Sequence, residues 1–426
     1  MNNKNIILIV ADTLRKDAIS LYNNRIKTPN IEYLASDSTV YNNAISPASW
    51  TIPSHASIFT GKYVNEHKIH ETYDIKTSQL SGSMNNVKYK TIAEILNKEG
   101  YNTIGLSANP NITPGSGFDR GFNVFSHMDN YYRSILVDNG LNNKDVNKIR
   151  FILNYYKNNG LMSSVNLYRL YNLWLKSGNG HLYDKGGYSI TNYIKDMSVK
   201  EPFFIFINLL EMHEQYLVHE PNGAVNFLNN KKIDIKKINT LKEAYFSMSL
   251  KLDYYIGIII KFLKDNGIYD NTDIIFTSDH GQMINKDYYG HGIFLNDELI
   301  NVPLVVKNGK KESVNKNVST IIINDIIKNI IHNDSNLNIN DSIFSESYGM
   351  HQCEALSFKN RMDKDLSRIA VFKSGYKLVI NSKNIIEEFK NGNKYIDNIN
   401  DNKNIVKDLI DEISIFNGNN TYNIEL

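Results

Sequence analysis

A threonine at position 51, followed by Ile52, Pro53 and Ser54, has the makings of a nucleophile, and three cation-binding groups lie far from it in the chain: Asp12, Asp279 and His280. A divalent cation beside a hydroxyl lowers its pKa and holds it for in-line attack. Two carboxylates and one imidazole suit Mn, Mg, Zn or Ca, and the ligand types do not choose among them. Each residue also has a plainer reading. Asp12 could cap a helix, Asp279-His280-Gly281 could be a turn, and Thr51 could itself be a cap, with Ser49 or Ser54 as the relevant hydroxyl.

The flanking patterns say how such residues would meet. Ile6 to Val10 is a continuous apolar run without alternation, as in a buried parallel strand, and it leads straight to Asp12. Asp273 to Thr277 is the strand that would deliver Asp279, and Phe203 to Leu210 the one before His213. In an open α/β sheet, active sites form outside the carboxyl ends of the strands. Pro53 predicts a helix with Thr51 at its entrance, where free N–H groups favour an anion. Helices are expected over Thr91 to Glu99, Leu241 to Leu263 and Asn404 to Ile415, and a strand over Thr103 to Leu106. Residues 131–193 are rich in Tyr, Asn, Leu and Lys and read as a helical insertion, either capping the site or covering a sheet face.

Several pieces occur in a telling order: Asn5 to Arg15, Thr28-Pro29-Asn30-Ile31, Thr51 to Gly61, Gly117 to Phe122, Glu201-Pro202-Phe203-Phe204 and Met212-His213-Glu214. Ser278-Asp279-His280-Gly281 follows, then Gly290-His291-Gly292 leading to Val302-Pro303-Leu304. Together they resemble the sulfatase branch of the alkaline phosphatase superfamily. The resemblance implies an α/β fold, an alkaline-phosphatase-like sandwich with a central, mostly parallel sheet flanked by helices. Residues 1–308 would form the catalytic domain and 309–426 a small C-terminal α+β subdomain completing the fold. It also implies one divalent metal ion on Asp12, Asp279 and His280.

Thr51 stands where sulfatases carry the cysteine or serine that becomes formylglycine, and His55 stands in place of the arginine that fixes it. Threonine is not a substrate for that conversion. The resemblance then points to the superfamily's phosphatases, phosphodiesterases and phosphoglycerol or phosphoethanolamine transferases, in which a metal-bound threonine attacks phosphorus. It gives His213 a substrate oxygen or the leaving group, and His291 the transferred group. His55 and Asn109 are substrate-binding candidates. Glu211 is a candidate helper, and no clear motif for a second full metal site is present. Arg15 and Lys62 offer positive charge or simply solvated surface; His67 and His70 read as polar-loop histidines.

Three functions remain open at this stage: a metal-dependent hydrolase or transferase for phosphate esters or diesters, a sulfuric ester hydrolase working without formylglycine, and a non-catalytic sulfatase-like binding protein. The substrate would be a small-molecule, glycan or lipid-head-group ester. With 426 residues and a net charge of +2, nothing argues for nucleic acid. A single cysteine, Cys353, excludes an intrachain disulfide. No apolar run approaches the roughly 20 residues of a membrane span, and the N-terminal run is too short for a signal peptide. The expected location is cytoplasmic; the oligomeric state is left open.

Overall fold

The computed structural model describes residues 4–70, 83–128, 185–198, 200–213, 235–285, 288–334, 336–349 and 366–419, with a few isolated positions besides. Eight strands form the main sheet: β1 (Asn5–Ala11), β2 (Ser38–Ile45), β3 (Asn102–Ser107), β4 (Val124–His127), β5 (Phe203–Leu209), β6 (Thr272–Thr277), β7 (Asn301–Lys307) and β8 (Glu312–Ser319). Their order across the sheet is β8-β2-β7-β6-β1-β5-β3-β4. All run the same way except β7, which is antiparallel to both neighbours.

Every residue of β1 is buried, and its period of two divides it between two cores. Ile7, Ile9 and Ala11 face α1 (Pro29–Ala35), while Ile6, Leu8 and Val10 face α2 (Thr51–Thr60) and α3 (Ile92–Lys98). The first core also takes in α4 (Gly187–Asp196) and the long α5 (Ile235–Asp265); the second takes in α6 (Ile322–His332). A sheet covered on both faces needs uniformly apolar central strands, which is what β1, β5 and β6 supply.

A second, five-stranded antiparallel sheet follows in the chain: β9 (Ile343–Tyr348), β10 (Ser367–Lys373), β11 (Tyr376–Asn381), β12 (Ile386–Asn391) and β13 (Lys394–Tyr395). Helix α7 (Lys403–Phe416) covers one of its faces through Val406, Leu409, Ile410 and Ile413. This is the expected C-terminal subdomain. Residue 308 falls between two strands of the large sheet, since β8 lies on its edge and α6 in its outer layer. The insertion at 131–193 lies outside the described residues apart from its last part, where α4 packs against α5. Cys353 and Glu214 also lie outside them. Among the described residues no helix is long and apolar enough to cross a membrane.

Candidate active site

The carboxyl ends of β1 and β6 are neighbours, so the residues that leave them converge. Asp12, Asp279 and His280 are each fully buried, and one ligand atom from each lies within 4.8 Å of the others. The turn after β1 is shaped for this. Thr13 sits at φ 57°, a left-handed conformation that costs a β-branched residue about 1–3 kcal/mol. In return its amide donates to Asp279 Oδ1 at 3.1 Å, its carbonyl accepts from the Tyr245 hydroxyl at 2.8 Å, and the next amide, Leu14, donates to Ser278 Oγ at 3.0 Å. Gly281 closes the other side, because a Cβ there would lie 2.0 Å from the Glu298 carbonyl oxygen.

Thr51 is the first residue of α2, behind Trp50 in extended conformation, and Pro53 falls in the first turn, where its missing N–H removes no helix bond. The whole helix is buried. Its polar side chains are satisfied locally: Ser54 Oγ donates to Ala48 O at 2.9 Å and Thr60 Oγ1 to Ala56 O at 2.7 Å. His280 Nδ1 donates to Gly281 O at 2.9 Å, so its Nε2 holds the lone pair, and the Thr51 hydroxyl lies 3.1 Å from that Nε2.

His55 and Asn109 were expected at the substrate, and both have their polar atoms engaged by the protein. His55 is fully buried one turn along α2; Nδ1 donates to Thr51 O at 2.9 Å and Nε2 accepts from Asn208 Nδ2 at 3.3 Å. Asn109 donates from Nδ2 to Asp12 Oδ2 at 2.6 Å, and its Oδ1 accepts from Asn111 N at 2.7 Å. Arg15 is committed to Asp17 at 2.6 Å and Lys62 to Glu66 at 3.0 Å.

His291 comes to the same place from the far end of the hairpin that follows His280. Its ring centroid lies 4.6 Å from His280 and 5.3 Å from His213. Two residues that sequence reasoning did not single out hold it. Gln282 Oε1 accepts from His291 Nδ1 at 2.7 Å, and the Trp50 ring stacks on His291 at 4.7 Å. Their only sequence signal was adjacency, to Asp279-His280 in one case and to Thr51 in the other.

Burial drives the Asp12 carboxyl well above its usual range, and the neighbouring Asp279 adds to the rise. Burial likewise raises Asp279, to about 7, and depresses His280. Among the described residues, none donates a hydrogen bond to Asp12 Oδ1 or Asp279 Oδ2. Two buried carboxylates with a neutral imidazole facing them, and an unbonded oxygen on each, form a donor set that a divalent cation would complete.

His67 proves to be structural. Burial lowers its pKa to about 3; Nδ1 accepts from Ile69 N at 3.0 Å and Nε2 donates to Ser57 Oγ at 2.9 Å, under α2. A histidine whose folded pKa lies below its unfolded value of about 6.5 contributes stability that is complete above that value and declines as pH falls towards the folded pKa. His67→Gln is therefore expected to flatten the fall in Tm between pH 7.5 and 4.5. An unchanged slope in thermal melts would show that His67 does not carry this dependence.

A mostly parallel sheet with candidate metal ligands at its carboxyl edge, beside a hydroxyl on a buried helix N-terminus, is an alkaline-phosphatase-like fold. The family described as Sulfatase matches residues 4–332, and the chain belongs to it. N-acetylglucosamine-6-O-sulfatase from Bacteroides thetaiotaomicron is 23% identical over 376 residues, 75% of this chain and 65% of the relative. An arylsulfatase from Clostridium perfringens is 23% identical over 327 residues, 68% of this chain and 65% of the relative. The chain thus spans just under two thirds of the length of either. The structure of a phosphonate monoester hydrolase from Silicibacter pomeroyi shares the fold with a TM-score of 0.65 at 15% identity, covering 99% of this chain and 96% of that one.

Proposed function

We propose that the protein is a metal-dependent hydrolase or transferase of phosphate esters or diesters, with Thr51 as nucleophile. The observation that carries this reading is the Thr51 hydroxyl, which cannot become formylglycine and lies 3.1 Å from His280 Nε2 of the Asp12–Asp279–His280 cluster. A divalent ion bound there would supply the charge that makes a hydroxyl acidic and a phosphoryl group electrophilic. Mn, Mg, Zn and Ca all fit the donor types.

The chain's own residues do the rest. Thr51 Oγ1, its proton released to solvent, bonds to phosphorus as the bond from phosphorus to the leaving oxygen breaks, and His213 gives that oxygen a proton. Water, or a second alcohol, then takes the group from Thr51. His291 and the first amides of α2 face the non-bridging oxygens, where negative charge builds. His55, bonded to the Thr51 carbonyl, and Asn109, bonded to Asp12, hold the nucleophile and a ligand in place. His291→Ala is expected to lower kcat about 10²- to 10³-fold; a rate within error of wild type would remove His291 from the reaction.

The second reading, a sulfuric ester hydrolase, is favoured by the names of the relatives. Against it, threonine lacks the aldehyde hydrate through which formylglycine sheds sulfate. A non-catalytic role is disfavoured by the buried pair Asp12 and Asp279, which strains a fold that has no cation to bind. The test is an activity panel of aryl phosphate monoester, phosphodiester, phosphonate and sulfate esters with each metal. Diester turnover exceeding sulfate turnover supports the proposal, whereas multiple-turnover sulfate release with Thr51 unmodified puts the sulfatase reading first.

A further inference from the structure

The loop that carries His291 is gripped from the second sheet. After Gly292 the chain runs through Ile293 and Leu295 into the short helix Asp297–Ile300, which feeds β7. Ser347 Oγ, on β9, donates to Ile293 O at 2.7 Å. Lys377 Nζ, on β11, donates to Leu295 O at 2.7 Å and to Asp297 Oδ1 at 3.0 Å, and pairs with Glu388 at 2.9 Å. Lys390 is the cross-strand partner of Lys377, and it pairs with both Asp297 and Glu388. Two lysines directly opposite each other repel, and the two carboxylates between them turn that repulsion into a closed cluster. Lys377 is 1% exposed and Lys390 4%.

Adhesion alone does not need these charges. Ile293, Leu295 and Leu299 already pack on Ile343, Ala370, Phe372 and Val379. Replacing a buried ion-pair cluster by apolar groups is often neutral or stabilising. What an ammonium on three acceptors adds is direction, because it fixes where the Leu295 carbonyl and the Asp297 carboxylate lie, and so where the preceding residues of the loop can go. His280 has an anchor of its own in the Gly281 amide, which donates to Leu299 O at 2.7 Å.

We propose that Lys377 is a positioning residue for His291, through which the C-terminal sheet sets the catalytic loop against Thr51. This rests on the role given to His291 above. The second sheet is then part of the catalytic apparatus.

The test is a double-variant cycle on whichever aryl ester the metal-loaded wild type turns over, run well below Tm with the fold checked by circular dichroism. Lys377→Met is expected to lower kcat about 10- to 100-fold with little change in KM, and Lys377→Arg to recover most of it. Lys377→Met/His291→Ala should be no slower than His291→Ala, since both changes remove one function. Lys373→Met, which breaks a surface pairing with Asp408 and Glu412 on the same sheet, should leave kcat unchanged. A folded Lys377→Met with wild-type kcat overturns the proposal, and so does a Lys377→Met loss that persists in full in the His291→Ala background. Should Lys377→Met not fold, Asp297→Asn is read in the same cycle with the same two outcomes. A His291→Ala variant as fast as wild type fails the role of His291 itself, and is thereby told apart from failure of Lys377 alone.

Discussion

Thr51→Ala is expected to lose about four orders of magnitude or more in kcat while binding divalent metal much as wild type does. The two halves of this result come from different atoms. The proposed nucleophile is the Thr51 hydroxyl, whereas the candidate ligand atoms belong to Asp12, Asp279 and His280 on the ends of β1 and β6. Removing one methyl and one hydroxyl from the first residue of α2 leaves the His55 bond to the backbone carbonyl of residue 51 in place, so the helix entrance keeps its shape. Two of the nearby serine hydroxyls are poor substitutes. Ser54 Oγ is bonded to Ala48 O and Ser46 Oγ, and Ser46 Oγ also donates to the Asp279 carbonyl. Turnover retained in Thr51→Ala, measured as steady-state release of an aryl alcohol, would give the attack to water.

Asp279→Asn should show the opposite pairing of effects, with metal binding and activity lost and the metal-free fold made more stable. Asp279 Oδ1 accepts the amides of Thr13 at 3.1 Å and His280 at 2.8 Å, and an asparagine oxygen can keep both. Its Oδ2 has no hydrogen-bond partner among the described residues and lies 3.4 Å from His280 Nε2, where an amide nitrogen could donate. Burial raises both carboxyls, and the substitution removes a buried charge whose nearness adds to the rise at Asp12. The expected readouts are a metal affinity lower by about two orders of magnitude and, with chelator present, a Tm higher than wild type by roughly 2 °C or more. In wild type, saturating metal should supply stabilisation of the same sign. A chelated variant that melts below chelated wild type would mean that the carboxylate pair is not a site of strain.

The parts of the fold most legible in the sequence were those with the simplest physics. Continuous apolar runs marked β1, β5 and β6, and these central strands deliver Asp12, His213 and Asp279. Pro53 announced the start of α2, and the capping pair Thr91 and Glu94 defines the start of α3. The two strands at one side of the sheet were hidden by polarity. β2 and β8 carry Asn42, Asn43, Asn315 and Asn317, and their side chains bond across the strands, as Asn42 Nδ2 does to Asn315 Oδ1 at 2.6 Å, so no apolar pattern was there to read. Roles that depend on distant partners were also out of reach. His55 and Asn109 have the chemistry to touch substrate, and only the fold shows their polar atoms engaged with Thr51, Asn208, Asp12 and Asn111. Trp50 and Lys377 carry no motif at all, and their importance follows from what lies against them.

The claim at the centre of this account is that Thr51 becomes covalently attached to the transferred group. Rapid quenching of the metal-loaded protein with bis(4-nitrophenyl) phosphate, followed by peptide mass spectrometry, tests it directly. The account predicts a 4-nitrophenyl phosphoryl adduct on Thr51, formed with a burst of one nitrophenol per active site. Steady nitrophenol release with no burst and no adduct, or an adduct on Ser49 or Ser54 in place of Thr51, would contradict it.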